Sequence, residues 1–186
     1  MTRKILLALG GAAVLAGVAA IGHALAGPEK VEFPANYKAG WVRIATIDRY
    51  DQKAIRTVYM NPEAWQAAAA DQPLPDGTYL ALELRPAKLG ADGLPLKDVN
   101  GRFIAEDKVN GLFVQQKKKG WGAEYPDNTR NGEWEFAVFN ADGTRHQANA
   151  NVTGCMNCHK PRAADDYTFV AAHIVNSLKT KDGKAK

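Results

Sequence analysis

The chain has 186 residues, of which 46% are hydrophobic and 24% charged, the size and composition of one globular domain. Its formal charge is +4, and without Arg3 and Lys4 it is +2, too small an excess for a nucleic-acid binder held by bulk charge. The lysine-rich end, Lys179 to Lys186, carries more than that excess and reads as a solvated tail.

In chain order, Arg3 and Lys4 precede an apolar run, Ile5 to Ile21, closed by Ala24-Leu25-Ala26. That charged, apolar, small order is an export signal, residues 1–26, cut after Ala26. The alternative is an uncleaved anchor near the short limit for spanning a bilayer. The mature part, residues 27–186, shows no repeat or linker and reads as one domain, ordered from about residue 30 to residue 178. Its working place is the periplasm.

Two β-like runs, Trp41–Ile47 and Ile55–Met60, come first. Asn61-Pro62-Glu63 reads as a helix start, with Asn61 as the cap, for a helix Pro62–Ala70. After Asp76-Gly77, the alternating Leu80, Leu82 and Leu84 predict a strand with one buried face. Gly111–Gln115 and Glu133–Phe139 also read as strands, the second with Trp134 and Phe136 in the core. Asn140-Ala141-Asp142-Gly143 reads as a turn. Tyr167, Val170, Ala171, Ile174 and Leu178 then fall at helical spacing, with Asp165 and Asp166 in the capping position. The expected fold is mainly β (α+β): an antiparallel sheet with a short helix early and a C-terminal helix.

The two cysteines stand together in Cys155-Met156-Asn157-Cys158-His159, in what reads as a loop before that last helix. A structural zinc site would need a second ligand pair, which His23, His146 and His173 do not supply. A thioredoxin-like centre needs a βαβ setting, which is absent. Cys-x-x-Cys followed at once by His is the pattern of covalent haem attachment: both thiols form thioethers and the histidine becomes the axial ligand. The bland alternative is a surface disulfide beside an idle histidine. One covalent haem c is expected, on Cys155 and Cys158, with His159 on the metal. A sixth ligand is poorly provided for. Met156 lies inside the attachment motif, Met60 abuts Asn61-Pro62, His146 sits in a polar stretch pointing at water, and His173 reads as a partly buried helix residue. The iron is expected to be open on one side.

Several stretches then occur in a telling order: Tyr37…Trp41 before Asp48-Arg49, Arg56 to Pro62, Asp76-Gly77-Thr78, Arg130-Asn131-Gly132-Glu133-Trp134, and Cys155–His159 with Asp166-Tyr167-Thr168-Phe169. Over nearly all of the mature part the chain resembles the cytochrome P-460 family, which includes the cytochromes c′-beta. The resemblance implies a β-rich fold, a homodimer and a five-coordinate c-type haem. In the P-460 branch a strand lysine is bonded to the haem edge, and a carboxylate is the base for hydroxylamine oxidation. By alignment those positions are Leu82 and Phe113 here, unless a shifted register brings Lys88 or Lys108 to the haem. A distal pocket of Leu82 and Phe113 offers no proton donor or acceptor, which fits the c′-beta branch and nitric oxide as ligand; the bland alternative for both residues is plain core packing. Arg56 and Arg130-Asn131-Gly132 are candidates for the haem propionates. The competing expectations are a haem enzyme acting on hydroxylamine or peroxide, and an electron-transfer cytochrome with a redox partner.

Overall fold

The computed structural model describes residues 28–147 and 152–179. The export-signal reading of residues 1–26 lies outside them. Five strands, β1 (Val42–Arg49), β2 (Ala54–Met60), β3 (Tyr79–Pro86), β4 (Gly111–Lys117) and β5 (Trp134–Phe139), form one antiparallel sheet in the order β1-β2-β3-β4-β5. Short helices surround it: α1 (Tyr37–Gly40), α2 (Pro62–Ala67), α3 (Thr153–His159) and α4 (Ala171–Leu178). The mainly β (α+β) expectation therefore stands.

Because side chains alternate along a strand, and paired residues share a face, the register sorts the sheet into two sides. Val58, Leu82, Phe113 and Val138 form one rung, and Met60, Leu80, Gln115 and Phe136 the next. This front face meets α2, α3 and α4 through a core that includes Met60, Leu80, Trp134, Phe136, Met156 and Val175. Ala81, Leu112, Val114, Ala137 and Phe139 point the other way, onto Val31 and Tyr37. The leucine strand is thus covered on both faces, not one. Glu83, on its far side, is buried, accepts the Tyr37 hydroxyl at 2.5 Å, and pairs with Lys38 at 2.7 Å, so α1 is tied to the back of the sheet.

Four local expectations change. Helix α2 ends at Ala67, where Ala68 turns extended, rather than at Ala70. Asn61 makes no cap bond; its Oδ1 accepts the Tyr79 amide at 2.8 Å, joining the end of β2 to the start of β3. Lys179 is not part of a solvated tail but is buried, and its Nζ donates to the carbonyls of Trp65 and Gln66 at the end of α2. Finally, Asp165 and Asp166 do not cap α4. That helix starts at Ala171, and Thr168 Oγ1 accepts the Ala172 amide at 3.2 Å.

Asp166 has a larger task. Its Oδ2 accepts the Leu74 amide and Lys117 Nζ, each at 2.9 Å, and its Oδ1 accepts Trp134 Nε1 at 3.3 Å. These bonds hold Asp166 (φ 50°) and Tyr167 (φ 56°) in the left-handed region, which costs a non-glycine residue about 1–2 kcal/mol. Gly132, itself at φ 60°, lies against the Tyr167 ring, where a Cβ would meet Cε2 at 3.0 Å. Asn131 Nδ2 donates to the Met156 carbonyl at 3.0 Å and thereby fixes α3. Arg130-Asn131-Gly132 therefore braces α3 and the turn after it.

Two predictions follow from these buried groups. Asp166→Ala should cost about 2–4 kcal/mol, because it strands the Lys117 ammonium and releases the turn; denaturant unfolding followed through tryptophan fluorescence measures this. Glu135, fully buried, accepts the Tyr125 hydroxyl at 2.9 Å, while its Oε1 has no partner among the described residues. Burial pushes its carboxyl up from 4.5 to about 7, against the pull of the Tyr125 bond. The folded state thus holds a proton that the unfolded chain releases. Its contribution is full below pH 4.5 and is lost as pH rises through about 7. Glu135→Gln should flatten stability across that window and leave the variant more stable than wild type above it, measured by unfolding at a series of pH values.

Candidate functional site

Helix α3 turns the cysteine motif into a surface. Positions i, i+3 and i+4 share one side of a helix, so Cys155, Cys158 and His159 face together, while Met156 points away into the core with 1% of its surface exposed. The motif is helical, not a loop. It is followed by a 3₁₀ segment, Lys160–Asp165, and then by the left-handed turn. Both cysteines are free, and burial, followed by the neighbouring Cys158, raises the pKa of the Cys155 thiol.

The three side chains open on a cavity of about 600 Å³ between α3 and the front of the sheet, within the ~300–1,000 Å³ of small-molecule and cofactor sites. From the sheet it is lined by Ile47, Val58, Leu80, Leu82, Phe113 and Phe136, and on the helix side by Thr168, Phe169 and Val170. Leu82 and Phe113 are direct cross-strand partners, side by side in the cavity wall, and Phe113 keeps 39% of its surface exposed. The charged or titratable lining residues are Arg49, Arg56, Cys155, Cys158 and His159; no carboxylate and no lysine is among them. Lys88 and Lys108 are exposed and line no part of this cavity, and β3 pairs with β4 without a register shift.

His159 is the most constrained group. Its Nδ1 lies 2.7 Å from the Tyr167 carbonyl. A carbonyl only accepts, so Nδ1 carries the proton and Nε2 keeps its lone pair. The ring is held between Phe136 and Phe169, with centroids 5.0 Å and 4.8 Å away. Burial lowers its pKa, which favours the neutral imidazole that binds metals.

Arg56 supplies a second demand. Its Nη2 donates to Gln52 at 3.0 Å, but its buried Nε has no partner among the described residues, and Arg49 lies close enough to add repulsion. An unpartnered guanidinium donor in an otherwise apolar cavity asks for an anion. Two vicinal thiols, a neutral imidazole with a free Nε2, apolar walls and an arginine short of an anion together fit a haem with its propionates. Among the propionate candidates only Arg56 lies in the cavity; Arg130 donates to the Gly132 carbonyl at 3.0 Å instead.

The candidate sixth ligands are elsewhere. Met60 has 0% exposure and belongs to the core between sheet and helices, outside the cavity lining. His146 lies beyond β5, where its amide bonds Val138. His173 is exposed, contrary to its expected partial burial, and its Nε2 is 3.4 Å from Asp165. Sequence reasoning missed Arg49, Gln115 and Phe169 as cavity residues and took Phe136 for core alone. The period-two alternation of β4 would have paired Gln115 with Phe113.

A search against curated proteins gives no match. The family model described as Cytochrome P460 matches residues 34–170, a span running from just before α1 through α3 and its histidine to the residue before α4, and on that match the chain belongs to the cytochrome P460 family.

Proposed function

We propose that this protein is an exported mono-haem cytochrome of the c′-beta kind that binds nitric oxide at an iron with one protein ligand. The observation that carries the reading is the presence of Cys155, Cys158 and His159 on one helix face over a cavity whose remaining lining has two arginines but no carboxylate, lysine or further histidine. In this reading Cys155 and Cys158 tether the group, His159 ligates it through Nε2, and Arg56 with Arg49 takes its propionates. A ferrous haem so held would bind nitric oxide strongly without help from a distal donor. Leu82 and Phe113 keep that side dry and narrow. Dioxygen gains no hydrogen bond from Leu82 or Phe113, and neither side chain can carry a proton to or from a substrate.

Hydroxylamine oxidation is disfavoured on the same ground, since it needs a base near the nitrogen. An electron carrier is disfavoured because Met60, His146 and His173 do not line the cavity. Export rests on the N-terminal pattern and on the attachment of c-type haem outside the cytoplasm. A homodimer is part of the reading, and sedimentation of the holoprotein tests it.

The central experiment is spectroscopy of the purified holoprotein. Denatured chain should keep one haem, the ferrous form should be high-spin and bind nitric oxide, and hydroxylamine should be consumed slowly or not at all with an artificial acceptor. Haem extractable into acidic organic solvent, or a low-spin ferrous spectrum abolished by Met60→Ala, would sink the reading. Phe113→Ala should open the distal wall and raise the association rate of carbon monoxide on the order of tenfold, a barrier change of about 1.4 kcal/mol, read by flash photolysis.

A further inference from the structure

We infer that Gln115 is a positioning residue that moderates His159 as a metal ligand by sharing its hydrogen-bond acceptor; the inference rests on the haem reading above. The Tyr167 carbonyl receives two donors, His159 Nδ1 at 2.7 Å and Gln115 Nε2 at 3.0 Å. Gln115 is 7% exposed and sits in the rung between Leu80 and Phe136, a place where a leucine would pack without any polar cost. The carboxamide donates to the one acceptor that also serves the histidine.

Donors in a chain strengthen one another through polarisation. Two donors on one oxygen do the reverse, because each draws on the same electron density. A strong bond at Nδ1 makes an imidazole a more basic ligand, so Gln115 holds that basicity down. The carbonyl does not owe its position to Gln115. The Asp166 bonds to Leu74, Lys117 and Trp134 fix the turn, and Gly132 backs the Tyr167 ring. Removing the carboxamide should therefore leave the oxygen in place and give it wholly to His159.

The test uses Gln115→Met and Gln115→Leu in the holoprotein, two variants that cannot donate and fill the site differently. Ferrous resonance Raman should show the iron–histidine stretch moving to higher wavenumber, and potentiometry should show a lower reduction potential, in either variant that folds. Asp166→Ala, which loosens the carbonyl, should move the stretch the other way. An unchanged stretch and potential would make Gln115 a packing residue, and a downward shift would make it a mere holder of the carbonyl; either result overturns the inference. Failure of the underlying reading shows separately, in a wild-type protein without covalent haem or without an iron–histidine band.

Discussion

The hydrogen bond from His159 Nδ1 to the Tyr167 carbonyl is the contact on which the site is built. An imidazole can be a ligand only if it is neutral and only if one nitrogen is free; this bond holds the proton on Nδ1 and leaves Nε2 free, while burial lowers the pKa and favours the neutral ring. Delivering a backbone carbonyl to that point eight residues along the chain requires the path to double back. Two successive left-handed residues do so, at a conformational cost that Asp166 offsets through its three partners on the loop before β3, on β4 and on β5. The orientation of the His159 ring is thus tied to the sheet by hydrogen bonds rather than left to the short helix that carries it.

Strand parity decides what chemistry the cavity can perform. Glu83 follows Leu82, and Glu135 precedes Phe136, so two carboxylates adjoin lining residues in sequence. Alternation sends both to the back of the sheet, where each is buried and accepts a tyrosine hydroxyl. A slip of one residue in β3 or β5 would turn an acid into the cavity and exchange a binding pocket for one with a candidate base. The bonds of Glu83 to Tyr37 and Lys38, and of Glu135 to Tyr125, oppose such a slip. The inert wall is maintained by polar contacts on the opposite face.

Much of this was legible in the sequence because it depends on short-range patterns. The five strands follow from alternation and β-branched runs, and Cys155-x-x-Cys158-His159 declares its chemistry locally. Leu82 and Phe113 were found by alignment, and their pairing in one rung needs the register. What escaped depends on contacts between distant segments. The helix around the cysteines has a glycine and an asparagine and few strong helix formers, so its packing through Met156 and the Asn131 bond outweighs propensity. Asp165-Asp166 before an apolar run imitates a helix cap; the partners that draw Asp166 elsewhere lie at Leu74, Lys117 and Trp134. Lys179 looked like tail because the carbonyls it caps belong to α2.

The arrangement of charge across the cavity follows from the same topology. Ile47, Arg49, Arg56 and Val58 come from β1 and β2, whereas Leu80, Leu82, Phe113 and Phe136 come from β3, β4 and β5. The positive groups are therefore confined to the two-strand side. A flat apolar group with acidic substituents on one edge has one favourable way to enter: acids toward β1 and β2, and apolar body along β3 to β5. The reverse orientation would bury anions against leucine and phenylalanine and leave the Arg56 Nε without a partner, a penalty of about 1–3 kcal/mol for that donor before the anions are counted. Orientation of the proposed haem would thereby be set by electrostatics, and a tether at Cys155 and Cys158 would fix a placement that the strands already favour.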